Sequence, residues 1–207
     1  MYISDALEIA MASVMQEVLK YASQLPEGRP LAAKELLHLG SRAAVDQSLS
    51  RLVRRGTLLR AGRGVYVKPV ESQFGIRAPM SMKVVEELAA KRGETIVPHG
   101  AVAANALGLT TQVPTREVYL TSGPNRRLKL GSQVVELRHA PAWQLTLPQG
   151  AGNVVRALAW MGPGKTTAAI QKLKSALPPN DLAAIASTRA QLPTWMAQEI
   201  SGLVTHA

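Results

Sequence analysis

The chain has 207 residues, with 24 Lys and Arg against 14 Asp and Glu, a formal charge of +10, and no Cys. That length holds one large domain or two small ones, and the missing thiols exclude disulfide scaffolds, thiolate zinc sites and cysteine nucleophiles. Apolar residues at 46% with charged residues at 18% exclude wholesale disorder, and aromatic residues at only 4% argue against stacking-based capture of single strands.

No apolar run approaches the roughly 18 residues of a membrane span. The expectation is a basic, cytoplasmic protein whose acidic partner is nucleic acid, with no membrane role. Residues 4–25 repeat Leu7, Met11, Val14, Met15, Val18, Leu19 and Ala22 at three- to four-residue spacing. This predicts a helix with one buried stripe, stopped by Pro26 and Gly28. Asp5, Glu8 and Glu17 within it argue against a secretory signal.

Residues 31–39 predict a short helix with Leu36, Leu37 and Leu39 apolar, ended by Gly40 in a left-handed conformation. Ser41 is a good N-cap for a third helix over 41–56. There Val45, Leu49, Leu52 and Val53 share one face, and Ala43, Gln47, Ser50, Arg51 and Arg54 the other. Gly56 closes it. Leu58-Leu59-Arg60 and Val65-Tyr66-Val67 then read as strands around an Ala-Gly-Arg-Gly turn, and this hairpin ends at Pro69.

Helix, short helix, tight turn, helix, basic hairpin is the order of a winged helix-turn-helix. From Ser41 to Lys68, seven basic residues (Arg42, Arg51, Arg54, Arg55, Arg60, Arg63 and Lys68) stand against one acid, Asp46, a net of +6. Arg42, Gln47 and Arg51 are expected to face base edges, with Ser41, Ala43 and Ser50 beside them. Arg54, Arg55, Arg60 and Arg63 are expected on phosphates or in a minor groove, and Tyr66 on the hairpin is a further DNA contact. The same order of elements also occurs in protein–protein modules, and a basic helix face is often only solvated. Agreement of charge, element order and the Gly-Arg-Gly tip selects DNA.

Residues 70–80 show little periodicity and read as a linker. Ser81 then caps a helix carrying Met82, Val85, Leu88 and Ala89 up to Arg92-Gly93. Residues 94–98 read as a strand, 99–107 as a small-residue helix ended by Gly108, and 117–121 as a strand. Residues 126–130 and 133–138 form a second hairpin. Residues 153–161 and the stretch beyond are helical, with breaks at 162–164, 178–179 and 192–193. The fold class is therefore mixed α/β (α+β): a winged helix-turn-helix at 1–69, a linker at 70–80, and a C-terminal mixed α/β domain with a helical tail at 81–207. Arg126, Arg127 and Lys129 cluster on the second hairpin. They suit DNA or an acidic partner, and equally a solvated strand face.

Residues 162–167, Gly-Pro-Gly-Lys-Thr-Thr, superficially resemble a phosphate-binding loop. That loop needs G-x-x-x-x-G-K followed by Ser or Thr, after a buried strand. Here Ala159 stands at the first glycine position, a helical run precedes, and Pro163 removes an amide from the cradle. Nucleotide hydrolysis is rejected. His38, His99, His139 and His206 show no ligand spacing, so no metal is expected. His99, at a strand-to-helix junction without a partner acid, reads as structural. Glu86 and Glu87 are adjacent and share no helix face, and no serine sits in a nucleophile elbow. No catalytic residue and no cofactor are assigned.

Three stretches carry a family resemblance: GRGVY at 62–66, IVPHGAVAANALGLTTQVPTREVYLTSGPNRRLKLG at 96–131, and AWMG with QLPTWM nearer the end. With them the chain resembles the AbiEi-type antitoxins of bacterial toxin–antitoxin systems, and within these the DUF6088 branch. The resemblance runs over essentially the whole chain, and 96–131 is its most specific part. It implies a winged helix that binds inverted repeats in double-stranded DNA and represses its own operon, two copies sharing a palindromic operator. It implies a C-terminal domain with antitoxin activity, and a nucleotidyltransferase-like toxin encoded alongside, in a type IV system where direct binding is not required. Arg126, Arg127 and Lys129 then become the candidate antitoxin surface or an additional DNA contact. The turn at 162–167 departs from the family pattern. The alternative is a winged-helix regulator with no toxin partner, whose second domain senses a ligand or assembles the protein.

Overall fold

A computed structural model describes the backbone of residues 2–174 and 176–204 and the side chains of 13–173 and 176–201. The side chains of the stripe positions Leu7 and Met11, and all of His206, lie outside these described parts. The chain is a mixed α/β protein that divides into two compact units. One comprises Met1–Gly93 with Arg127–Val135, the other Glu94–Arg126 with Glu136–Ala207. Among the described residues no helix is long and apolar enough to cross a membrane.

The first unit opens with α1 (Tyr2–Gln24), a 3-10 turn (Ala33–Leu36) and α2 (Arg42–Arg54). Val18 and Ala22 of α1 meet Leu36, Val45, Leu49 and Leu52 in one apolar cluster, with Val14, Met15 and Leu19 packed at its edge. Burying a Leu or Val side chain stabilises by roughly 1.5–3 kcal/mol, so the α1–α2 seam holds this unit together. Ser41 caps α2, its Oγ accepting from the Ala44 amide at 3.3 Å. At the other end the Gly56 amide donates to the Val53 carbonyl and the Thr57 amide to that of Leu52. This paired closure satisfies carbonyls the helix leaves open.

Residues 31–39 differ from the expected helix. Only one 3-10 turn forms, and Leu37 stays 45% exposed. Leu31 instead exchanges both backbone hydrogen bonds with Tyr66, at 2.8 and 2.9 Å. Nine residues between Pro30 and Gly40 are too few to repay helix nucleation once the first is committed to a strand. Gly40 is not left-handed. It sits close to α1, where a Cβ would lie 3.1 Å from Val14 Cγ2, so a side chain there would press on that valine.

Strands β1 (Leu59–Gly62) and β2 (Val65–Val67) pair antiparallel, with a register shift between Arg60 and Gly62. Gly64, at φ 67, makes the turn. Residues 70–80 are not a structureless linker: β3 (Val70–Ser72) and β4 (Gly75–Arg77) form a second antiparallel hairpin. Glu71 through Arg77 are all exposed, with Phe74 at 91% and Ile76 at 71%. With neither face buried, the sequence shows no alternation to announce strands. Helix α3 (Ser81–Arg92) follows, with Met80 rather than Ser81 at its cap, and buries Val84, Val85, Leu88 and Ala89. It groups with the first unit, although chain order alone assigns it to the second.

Glu27 ties the end of α1 to this region. Its carboxylate accepts from Lys83 Nζ at 2.8 Å, and from the Met80 amide and Arg77 Nη1 at 3.1 Å each. Lys83 first, then the Met80 amide, hold its pKa down from 4.5 to about 2. A carboxyl depressed by folding contributes stability in full above its unfolded pKa, and loses it as pH falls through the folded one. The stability of the wild type should therefore decline between pH 4.5 and 2. Glu27→Gln should flatten that decline in urea midpoints measured across the window, and an unaltered profile would remove Glu27 from the account.

The second unit begins with β5 (Ile96–Pro98), α4 (Gly100–Ala106) and β6 (Glu117–Thr121). β5 and β6 pair antiparallel, Val97 opposite Leu120. β7 (Arg126–Leu130) and β8 (Gln133–His139), whose stretch Arg127–Val135 groups with the first unit, follow in a sheet of order β5-β6-β8-β7. Five helices follow: α5 (Ala142–Leu145), α6 (Gln149–Met161), α7 (Thr166–Lys174), α8 (Pro179–Thr188) and α9 (Thr194–Val204). Val154, Val155 and Leu158 of α6 pack with Ile170, Leu173, Ile185, Met196 and Ile200 in the principal core. Small residues bring α4 onto α6, where Ala103, Ala104 and Ala157 meet. Helix α6 starts four residues before the expected position 153, because Gly150 and Gly152 depress helix propensity in the sequence.

Candidate functional site

α2 presents two chemically opposite faces. Val45, Leu49 and Leu52 are fully buried. Ser41, Arg42, Ala43, Gln47, Ser50, Arg54 and Arg55 are exposed, and Arg51 is half-buried. One side of the helix is thus anchored in the core while the other offers guanidinium and amide groups to solvent. Arg51 and Arg54 stand in the last turn, where the helix dipole favours positive charge. Arg42 Nε pairs with Asp46 Oδ2 at 2.7 Å, four residues on, both side chains about half exposed. Such a pair is worth only about 0.3–0.5 kcal/mol, so Arg42 remains exchangeable for another anion. The Ser50 hydroxyl donates to the Asp46 carbonyl at 2.8 Å.

The β1–β2 hairpin adds Arg60 and Arg63, both exposed, with Arg63 beside the left-handed Gly64 at the turn. Tyr66 is a correction. It is 7% exposed and belongs to the core cluster with Leu31, Leu52 and Leu58. Its backbone binds Leu31, and its side chain packs inward, so it is no DNA contact. Lys68, exposed just after β2, belongs to the same cationic set.

The β7 cluster splits in two. Arg126 forms an ion pair with Glu94, Nη1 to Oε1 at 2.8 Å and a second contact from Nη2 to Oε2. The side chains are 14% and 11% exposed, so Arg126 holds the fold together and is not a surface cation. Arg127 and Lys129 are exposed and alternate with the buried Leu128 and Leu130. The backbone of Arg127 and the side chain of Leu128 lie just under 4 Å from where a Cβ of Gly62 would be. Arg127 and Lys129 thus share one compact unit with Arg60 and Arg63.

His99 caps α4: its Nδ1 accepts from the Ala101 amide at 3.3 Å. Burial, then the charge of Arg138, lower its pKa. The ring stays neutral, as an accepting Nδ1 requires. At 162–167, α6 ends at Met161 and α7 begins at Thr166, so a helix and not a strand precedes the glycines. Among the described residues no group of three His, Asp or Glu could hold a metal ion.

The fold and this face define a mixed α/β protein with a cationic helix-and-hairpin surface. The DUF6088 model, a family of unknown function, matches residues 15–183, and the chain belongs to that family. The crystal structure of the RV2827C protein from Mycobacterium tuberculosis is similar in fold, with a TM-score of 0.55 and 16% identity over 95% of this chain and 76% of that one. No curated protein matches.

Proposed function

We propose that the protein is a DNA-binding antitoxin that represses its own operon. In this reading the first unit acts as a winged helix-turn-helix. α2 enters the major groove of an inverted-repeat operator, and the β1–β2 hairpin is the wing. One observation carries it: α2 is sealed into the core along Val45, Leu49 and Leu52 while Gln47, Ser50 and Arg54 stand exposed on the opposite side. Arg42, Gln47 and Arg51 would read base edges, and Arg54, Arg55, Arg60 and Arg63 would hold phosphates. Arg127 and Lys129 would extend the phosphate contacts, since they belong to the same unit as the hairpin.

The antitoxin half rests on the resemblance of 96–131 to AbiEi-type antitoxins. The partner is then a nucleotidyltransferase-like toxin encoded alongside, opposed functionally whether or not it is bound. A second reading, a regulator without a toxin whose second unit senses a ligand, is favoured by the polar cleft around Arg156. Growth decides between them. The neighbouring gene is expressed alone and then with the full-length chain. Full length is needed because residues 127–135 group with the first unit, so no single cut separates the two. Toxicity relieved by the chain is the expected result. A harmless neighbour, or no relief, would remove the antitoxin and leave the regulator.

A further inference from the structure

The second unit contains a cleft of about 220 Å³ whose lining includes His99, Arg138, His139, Gln144, Arg156 and Trp160. Arg156 is only 2% exposed. Its Nη1 donates to the Gln144 carbonyl at 2.9 Å and its Nη2 to Asn153 Oδ1 at 2.7 Å. Both acceptors are neutral, and Nε is buried with no partner. A guanidinium does not deprotonate in a protein, so a full positive charge sits inside the fold without a counter-charge among the described residues, a costly arrangement unless an anion completes it.

The other groups sort by what they have left to offer. Arg138 is already met by Glu136, at 2.7 and 3.2 Å. His139 Nδ1 faces the Gly123 carbonyl at 3.0 Å, an acceptor only, so that nitrogen carries the proton. His99 uses Nδ1 as an acceptor, which puts its proton on Nε2. No carboxylate belongs to the lining.

We propose that this cleft binds a phosphate-class oxyanion, with Arg156 supplying the uncompensated charge and His99 Nε2 and Arg138 the surrounding donors. A carboxylate fits less well. It is best held by the two ends of a guanidinium fork, and both ends of Arg156 are committed to Gln144 and Asn153. A tetrahedral oxyanion accepts single donors from several directions. The volume lies below the roughly 300–1,000 Å³ of pockets that enclose drug-sized ligands, which suits phosphate or a small monoester. This inference is independent of the DNA-binding reading.

Trp160, 39% exposed beside the cleft, is a local reporter. The full-length chain is titrated with inorganic phosphate, then with glycerol 3-phosphate, at ionic strength held constant with chloride. A saturable change in tryptophan emission, abolished by Trp160→Phe, is expected. Arg156→Met should weaken it about 10- to 100-fold, the loss of a hydrogen bond to a charged group. Arg138→Met, at an exposed position, should weaken it too, and serves if Arg156→Met does not fold. A tenfold preference for glycerol 3-phosphate would identify an ester as the ligand class, and equal affinity the free ion. A response that chloride reproduces, or one unchanged in both variants, would overturn the proposal.

Discussion

Arg126→Ala should destabilise the protein by about 3–5 kcal/mol, the cost of leaving a buried charge without its partner. Glu94 is the group stranded. It lies 11% exposed, contacts both Nη atoms of Arg126, and also accepts from Thr121 Oγ1 at 3.2 Å. Gly123 packs over it so closely that a Cβ there would fall 2.3 Å from Glu94 Cδ. Urea unfolding reads the loss, and the double variant Glu94→Gln, Arg126→Met should recover most of it, because removing both charges removes the penalty. A cost under about 1 kcal/mol for Arg126→Ala would make the pair an ordinary surface bridge. Lys129→Ala, exposed on the same strand, should stay within about 0.5 kcal/mol of wild type.

This contrast marks what the sequence could convey. Periodicity found α2 and its buried face, since Val45, Leu49 and Leu52 are spaced by the helix itself and need no distant partner to be read. Ser41 as a cap is equally local. In sequence Arg126 looks like a surface cation because its partner lies 32 residues earlier in the chain, and no local pattern links the two. Tyr66 sits between two valines of a short strand that is buried throughout, so alternation gave no sign of which way it faces. The opposite failure occurs at β3–β4: both faces are exposed, and a hairpin with no buried side leaves no apolar signature. Arg156 shows the same limit in the second core. Its place in an apolar helix is plain from the sequence, but not that both acceptors it meets, the Gln144 carbonyl and Asn153 Oδ1, are neutral.

The cationic face should make DNA binding steeply dependent on salt, and dissecting it separates positioning from reading. Arg54, Arg55, Arg60 and Arg63 are all exposed, and among the described residues none forms an ion pair. Their guanidinium groups are available to phosphates without first breaking a contact. Each phosphate neutralised contributes about 0.9 to the slope of log affinity against log salt. Replacing all four by Ala should thus lower the slope by about 3 to 4, on operator and random duplex alike, with the fold intact. Gln47→Ala should behave differently. An amide paired with a base edge supplies about 1–3 kcal/mol of discrimination, so operator affinity should drop roughly 5- to 150-fold while random-sequence affinity and the slope barely move. Gln47 is exposed six residues past the Ser41 cap, in the N-terminal half of the helix, the part of a recognition helix that meets base edges. Equal losses on both duplexes would deny Gln47 a reading role. An unchanged slope in the four-arginine variant would take the whole face off the DNA and turn attention to Arg127 and Lys129.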